Sequence, residues 1–186
     1  GDVQAFNLLV EAYQDQVYSV ALRMVRSHAP AEDLVQEAFI SAFRSLRQYR
    51  GGSFRAWLLR IVRNATYDWL RQPQRRRVES IDENVVAFEA QLTAGDPTPE
   101  EAALNAELGT QITRVLGDLQ PDQRLAIVLV DVEGYSYEDA AEAMGVSVGT
   151  VKSRLSRARS RMRDALLQDP ELLPSRYRPV GEGGNS

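Results

Sequence analysis

Six basic side chains, Lys152, Arg154, Arg157, Arg159, Arg161 and Arg163, fall within residues 148–163, a stretch that contains no acid. Cations repeated along one helix meet phosphates, and a guanidinium can also form paired hydrogen bonds with a guanine edge. At about 100° per residue, Gly149, Ser153, Ser156 and Ser160 make a ridge of small side chains. Arg154, Arg157 and Arg161 line one flank of that ridge, and Lys152, Arg159 and Arg163 line the other. Nothing bulky on the ridge keeps the helix out of a DNA groove. A solvated amphipathic helix would also carry such charge, so the preceding residues decide between the two readings. Ser136 can cap a short helix over residues 137–144, with Glu138 and Asp139 in its first turn. Gly145 supplies a turn, and Ser147 caps the basic helix, whose Val148, Val151, Leu155, Ala158, Met162 and Leu166 form a buried stripe. Two helices joined by a glycine turn, the second basic, read as a helix-turn-helix that contacts DNA.

A second cluster lies in residues 54–71, after Ser53 as cap. Phe54, Trp57, Leu58, Ile61, Val62, Ala65 and Trp69 share a broad apolar arc, and Arg60, Arg63, Asn64, Tyr67 and Arg71 occupy the other side. Solubility alone would explain the polar side. A surface of arginines with an asparagine and a tyrosine also offers phosphate contacts, base-edge hydrogen bonds and stacking. Tyr49 and the adjoining Gly51 and Gly52 are expected to be exposed enough to touch a strand.

These clusters must be positioned by helices. The apolar residues from Phe6 to Met24 recur at helical spacing, giving a first helix that ends near Ser27 to Ala29. Pro30 suits the start of a second helix running to about Leu46, with Glu32 and Asp33 in its first turn. Residues 104–119 carry a further helix, and Pro121 starts another before the helix-turn-helix. The expected fold is all-α. Two small helical domains, residues 1–77 and 104–168, are joined by a flexible acidic linker over 78–103, and a mobile tail follows over 169–186. The chain begins at Gly1 inside what reads as a helix, so a few native residues are expected to precede it.

The net charge of −4 hides an uneven distribution. Residues 54–77 hold seven arginines and one aspartate, net +6, and the basic helix adds +6. Residues 78–120 hold nine carboxylates and one arginine, net −8. The acidic linker is therefore expected to lie against either basic face and mask it. With no cysteine, disulfides, thiolate zinc sites and cysteine nucleophiles are excluded. No signal sequence or membrane-spanning stretch is visible. Enzymatic chemistry is disfavoured, because the lone His28 lacks a partner constellation and no glycine motif would cradle a phosphate. No cofactor or metal is expected.

Taken together, DLVQEAF at residues 33–39, FRAWLLRIVRNATYDWLR at 54–71 and DVEGYSYEDAAEAMGVSVGTVKSRLSRAR at 131–159 resemble the extracytoplasmic-function group of bacterial RNA polymerase sigma factors. The resemblance implies a subunit that binds polymerase core and directs promoter-specific initiation, its N-terminal domain opening the −10 element and its C-terminal domain reading the −35 element. It implies that Asp33, Gln36, Glu37 and Ile40 dock on the β′ clamp helices, with the β flap as a further contact. Tyr49, Ser53, Arg60, Arg63, Asn64, Tyr67 and Arg71 correspond to the −10 surface, and the loop at residues 49–53 to one that captures a flipped base. Thr150, Lys152, Ser153, Arg154, Ser156, Arg157 and Arg161 correspond to the −35 readers. An anti-sigma factor is implied as a further partner, and the cytoplasm as the location. Ser156 is smaller than the side chain common at its position, and Gln120 replaces the first proline of the family's Leu-Pro-Pro string. The competing reading is a stand-alone helix-turn-helix regulator, but the N-terminal half lacks the alternating strands of a receiver domain and carries its own basic face.

Overall fold

The computed structural model describes residues 2–72 and 98–168, with the backbone alone for 99–105. Residues 73–97, which hold most of the expected linker, and the expected mobile tail over 169–186 lie outside the described residues. All the regular structure described is helical. Helix α1 (Val3–Val25) is capped by Asp2, whose carboxylate accepts from the Gln4 and Ala5 amides. It ends at Arg26 in the left-handed conformation, φ 60°, and α2 (His28–Ser45) follows almost at once. Because α2 opens at His28, ahead of Pro30, Glu32 and Asp33 fall in its second turn and not in the expected first. A single tight turn at Leu46–Gln48 leads to the glycine pair, and α3 (Phe54–Arg71) starts where Ser53 accepts from the Ala56 amide at 3.1 Å.

Helix α4 (Pro99–Asp118) begins inside the segment whose composition reads as linker. Proline followed by two glutamates is also a favourable helix opening, and that reading prevails here. Helix α5 (Pro121–Ile127) runs into a wide π turn at Val128–Val132, where the Glu133 amide donates to the Val128 carbonyl at 2.9 Å. The helix-turn-helix follows as α6 (Tyr137–Met144) and α7 (Val148–Leu166). Its caps are those the sequence indicates: Ser136 accepts from Asp139 N, Gly145 sits at φ 65°, and Ser147 accepts from Thr150 N.

One apolar core runs through both halves. It contains Val20, Leu22 and Met24 of α1, Leu58 and Val62 of α3, Leu125, Val128 and Leu129 around α5, and Val151 and Leu155 of α7. This cluster draws on both halves of the chain, with α3 laid along α6. Arg124 fastens the seam. Its buried guanidinium donates to the carbonyls of Leu116 (2.8 Å) and Gly117 (2.5 Å) at the end of α4, and to Met24 (2.6 Å) at the end of α1. Carbonyls at helix C-termini lack intrahelical donors and carry partial negative charge, so one cation satisfies two helix ends.

Candidate nucleic-acid interface

The inner stripe of α7 is buried at Val151, Leu155 and Ala158, which fixes the rotation of the helix. The ridge points outward: Gly149, Ser153 and Ser156 are exposed and Ser160 is half-buried. Ser153 is held by donation to the Thr150 carbonyl at 2.9 Å, and Thr150 itself hydrogen-bonds the Ser147 hydroxyl at 2.9 Å. Thr150 therefore belongs to the cap network at the helix entrance. Lys152, Arg157 and Arg161 are exposed, the Lys152 ammonium lying 5.4 Å from the centre of the Tyr137 ring. Along the Lys152 flank an open concavity of about 670 Å³ is bounded by Tyr137, Leu155, Ser156, Arg159, Ser160 and Arg163. Its basic rim and small-residue floor suit a sugar-phosphate strand.

Two cations of α7 are already engaged by acids of other elements. Arg154 pairs with Asp122 of α5 at 2.5 Å. Arg159 holds Asp131 of the π turn through both its Nε (2.9 Å) and Nη2 (2.6 Å), hydrogen bonds that raise its guanidinium above the ordinary value. Such a fork fixes the guanidinium plane. Arg163 pairs with its neighbour Asp164 at 3.0 Å, both well exposed.

The polar side of α3 divides in two. Arg60, Asn64 and Arg71 are exposed. Arg63 and Tyr67 are half-buried and turn toward the C-terminal half, where Arg63 donates to the Met144 carbonyl and Tyr67 donates to Asp122 at 2.6 Å. Burial, then the hydrogen bond and charge of Asp122, push the Tyr67 hydroxyl well above the ordinary tyrosine range. Arg63 also grips the Asn64 side-chain oxygen at 2.8 Å, leaving that amide's NH2 group directed elsewhere. Ser53 is occupied by its capping role.

Tyr49 is half-buried, contrary to the expected exposure. Its ring packs with Phe54 (5.7 Å) and Trp57 (5.5 Å), and its hydroxyl donates to the Gly52 carbonyl at 2.6 Å. It shapes the loop, while Gly51 and Gly52 at φ 91° and 92° present bare backbone to solvent. Only glycine adopts that conformation readily. On α2, Asp33, Gln36, Glu37 and Ile40 form one exposed face, with Ile40 51% exposed. Phe43 continues that face at 38% exposure, stacked edge-on against Phe6 at 5.0 Å.

Sequence reasoning passed over Asp122 and Asp131, which pair with Arg154 and Arg159 of α7, and Glu133, which meets α1. Glu133 accepts from Ser19 and pairs with buried Arg23 at 3.4 Å. The expected masking by the linker falls on residues outside those described. The one available signal was position: Asp131 lies in the π turn, Glu133 follows it, and Asp122 lies in the first turn of α5. His28 hydrogen-bonds Tyr18 at the start of α2, which fits its reading as a helix-end residue. No helix among the described residues is long and apolar enough to cross a membrane.

A helix-turn-helix with an exposed basic ridge, joined to a second helical unit with a basic helix of its own, is the architecture of a DNA-binding protein. Residues 9–77 match the family model for sigma-70 region 2, and residues 110–162 match that for sigma-70 region 4. The chain is 42% identical over 164 residues to the ECF RNA polymerase sigma-E factor of Escherichia coli K12, covering 86% of this chain and 85% of that one. It is 39% identical to the RNA polymerase sigma-H factor of Pseudomonas aeruginosa, covering 89% and 88%. It is also 40% identical to the ECF sigma factor SigE of Mycolicibacterium smegmatis, covering 85% of this chain and 60% of that longer protein. Among solved structures, the sigma factor RpoE of Bartonella quintana, in complex with the anti-sigma factor NepR, aligns at TM-score 0.64 and 29% identity. That alignment covers 89% of this chain and 99% of the other. CnrH, in complex with the cytosolic domain of CnrY, aligns at TM-score 0.64 and 27% identity, covering 91% and 92%. The chain belongs to the ECF group of RNA polymerase sigma factors.

Proposed function

We propose that this sigma factor reads the −35 element with α7 and the −10 element with α3, and docks on polymerase core through α2. As a sigma factor it acts in transcription initiation, with RNA polymerase core and promoter DNA as partners. The observation that carries the assignment of surfaces is the exposed small-residue ridge of α7 between flanking cations, aimed by a fully capped helix-turn-helix. In the groove, Ser153 and Ser156 let the backbone approach, Arg154 and Arg157 reach base edges, and Lys152 and Arg161 meet phosphate. On α3, Arg60 and Arg71 attract the strand, Asn64 offers base-edge hydrogen bonds, and the bare backbone at Gly51 and Gly52 admits a displaced base. The docking face is the Asp33, Gln36, Glu37 and Ile40 stripe, extended by Phe43. The protein performs no covalent chemistry of its own and works in the cytoplasm. An anti-sigma factor is its natural regulator, a partner supported by the complex of RpoE with the anti-sigma factor NepR.

The test is co-purification with core polymerase, followed by promoter-selective transcription in vitro. Gln36→Lys with Glu37→Lys should abolish co-elution while circular dichroism shows unchanged helical content, since both positions are exposed. Undiminished co-elution overturns the docking assignment.

A further inference from the structure

We infer that Asp131 is a positioning residue for promoter recognition: it acts through Arg159, turning that guanidinium to clamp one backbone phosphate of the −35 element. The inference rests on the assignment of α7 to that element. Arg159 lies on the Lys152 flank of α7, and Asp131 lies outside the helix-turn-helix, in the π turn. In an uninterrupted α-helix Val132 would extend the buried stripe of Leu125, Val128 and Leu129, yet it is 42% exposed. The π turn accounts for this. Its wider ring, closed by the Glu133 amide on the Val128 carbonyl at 2.9 Å, carries an extra residue and shifts the positions that follow out of register. Asp131 meets α7 from this turn, accepting from Arg159 Nε at 2.9 Å and from Nη2 at 2.6 Å.

A pair with side chains 53% and 29% exposed adds little to the stability of the fold. What the fork supplies is direction. A carboxylate that takes Nε and Nη2 occupies one side of the planar guanidinium. The outer edge, formed by the two terminal nitrogens, keeps a pair of N–H groups for a second anion. Two phosphate oxygens match that edge. Arg159 borders the open concavity of about 670 Å³, together with Tyr137, Lys152, Ser156, Ser160 and Arg163. Lys152, Ser156, Arg159 and Arg163 recur at three- and four-residue steps, a strip about 16 Å long at 1.5 Å per residue.

The cations of this strip are not equivalent. Lys152 ends in a point charge on a flexible stem, and Arg163 pairs with its own neighbour Asp164, whereas Arg159 is fixed by a bidentate contact with another element. A long side chain that is already oriented loses less freedom when it binds. The Asp131 charge also has an effect of opposite sign, since it repels DNA. The two effects leave different traces. Repulsion acts on every phosphate nearby, while orientation acts at the one phosphate that the guanidinium meets.

The test is a methylphosphonate scan. Each phosphate of the −35 element is replaced in turn by an uncharged methylphosphonate, and holoenzyme affinity for the promoter is measured. The unmodified protein should bind about tenfold more weakly when the phosphate facing Arg159 is neutral, the size of a hydrogen bond between charged groups. Arg159→Ala should abolish that dependence and leave the other positions as they were. Asp131→Ala should reduce it at the same position to about threefold, the guanidinium now having to be ordered on binding. Arg159→Lys keeps the charge but not the fork, and should behave like Asp131→Ala. An affinity that rises equally at every position in Asp131→Ala would make the carboxylate a repulsive charge alone. A loss equal at every position, with lowered thermal stability of the free chain, would make the bridge a structural tie alone. Full dependence retained in Arg159→Lys would reduce Arg159 to its charge. Each of these results overturns the positioning role. Lys152→Ala and Arg161→Ala report on the underlying assignment: if neither alters the dependence at any −35 phosphate, α7 does not lie on that element. If they do alter it while Asp131→Ala leaves the scan unchanged, only the role of Asp131 fails.

Discussion

Arg154→Ala and Arg163→Ala should weaken promoter binding in different ways, and the structure sets the size of the difference. Arg154 begins from a pairing with Asp122 at 2.5 Å, the two side chains 23% and 43% exposed. A partly exposed pair of this kind contributes at most about 1 kcal/mol. Both partners belong to the C-terminal half, so the pair persists in holoenzyme until DNA arrives. A bidentate guanine contact is worth about 1–3 kcal/mol of discrimination, and releasing Arg154 from Asp122 offsets part of it. The net contribution at a matched base is then about 1–2 kcal/mol, or roughly five- to thirtyfold in affinity. Arg154→Ala should lose that factor on the cognate −35 sequence and little on variants already mismatched at the contacted base. Arg163 is 67% exposed, pairing with adjacent Asp164 and reaching the Ser160 hydroxyl at 3.5 Å, contacts too solvated to hold it back from phosphate. Its replacement should weaken all sequences about equally and reduce the salt slope by about one unit. The assay is holoenzyme affinity for a panel of −35 variants at several salt concentrations. If Arg154→Ala weakens every variant alike, the orientation of α7 in the groove is wrong.

Alkaline titration followed by tyrosinate absorbance should leave Tyr67 protonated well above the ordinary tyrosine range, because burial and the Asp122 carboxylate push it upward. A raised value means that the contribution of protonated Tyr67 to stability is complete below the ordinary tyrosine range, about pH 10, and is lost only as pH rises through the higher value. Asp122→Asn should move one tyrosine back toward the ordinary range, and an unchanged titration would show that the hydrogen bond is not made in solution. Leu58→Ala, at a side chain 1% exposed in the shared core, should destabilise by about 2–5 kcal/mol. Thermal unfolding followed by circular dichroism measures this, and a loss below about 1 kcal/mol would mean that Leu58 is not packed as described.

The ends of the helices were legible in the sequence because capping is local chemistry. Ser53, Ser136 and Ser147 each satisfy an amide two or three residues ahead, and Gly145 takes the left-handed turn that a side chain resists. The buried stripe of α7 followed from periodicity alone, and with it the outward direction of Gly149, Ser153 and Ser156. The start of α4 at Pro99 was less legible, since proline and acids mark linkers and helix openings equally well. Tyr49 was misjudged as exposed because its partners, Phe54 and Trp57, lie beyond the glycine pair, and only the turn of the chain there brings their rings against it. The polar side of α3 shows the limit most clearly. In the sequence Arg60, Arg63, Asn64, Tyr67 and Arg71 are one face of one helix, with nothing to separate them. Only the packing of α6 against α3 divides them, exposing Arg60, Asn64 and Arg71 and turning Arg63 and Tyr67 inward. Asp122 and Glu133 are likewise ordinary acids in the sequence. Their pairings with Tyr67 and Arg23 span 55 and 110 residues, and side chains that far apart along the chain become neighbours only when the apolar surfaces of both halves are buried together. Local hydrogen bonding and helical period determined the elements and the faces they present, whereas burial across the seam decided which of those faces meet solvent.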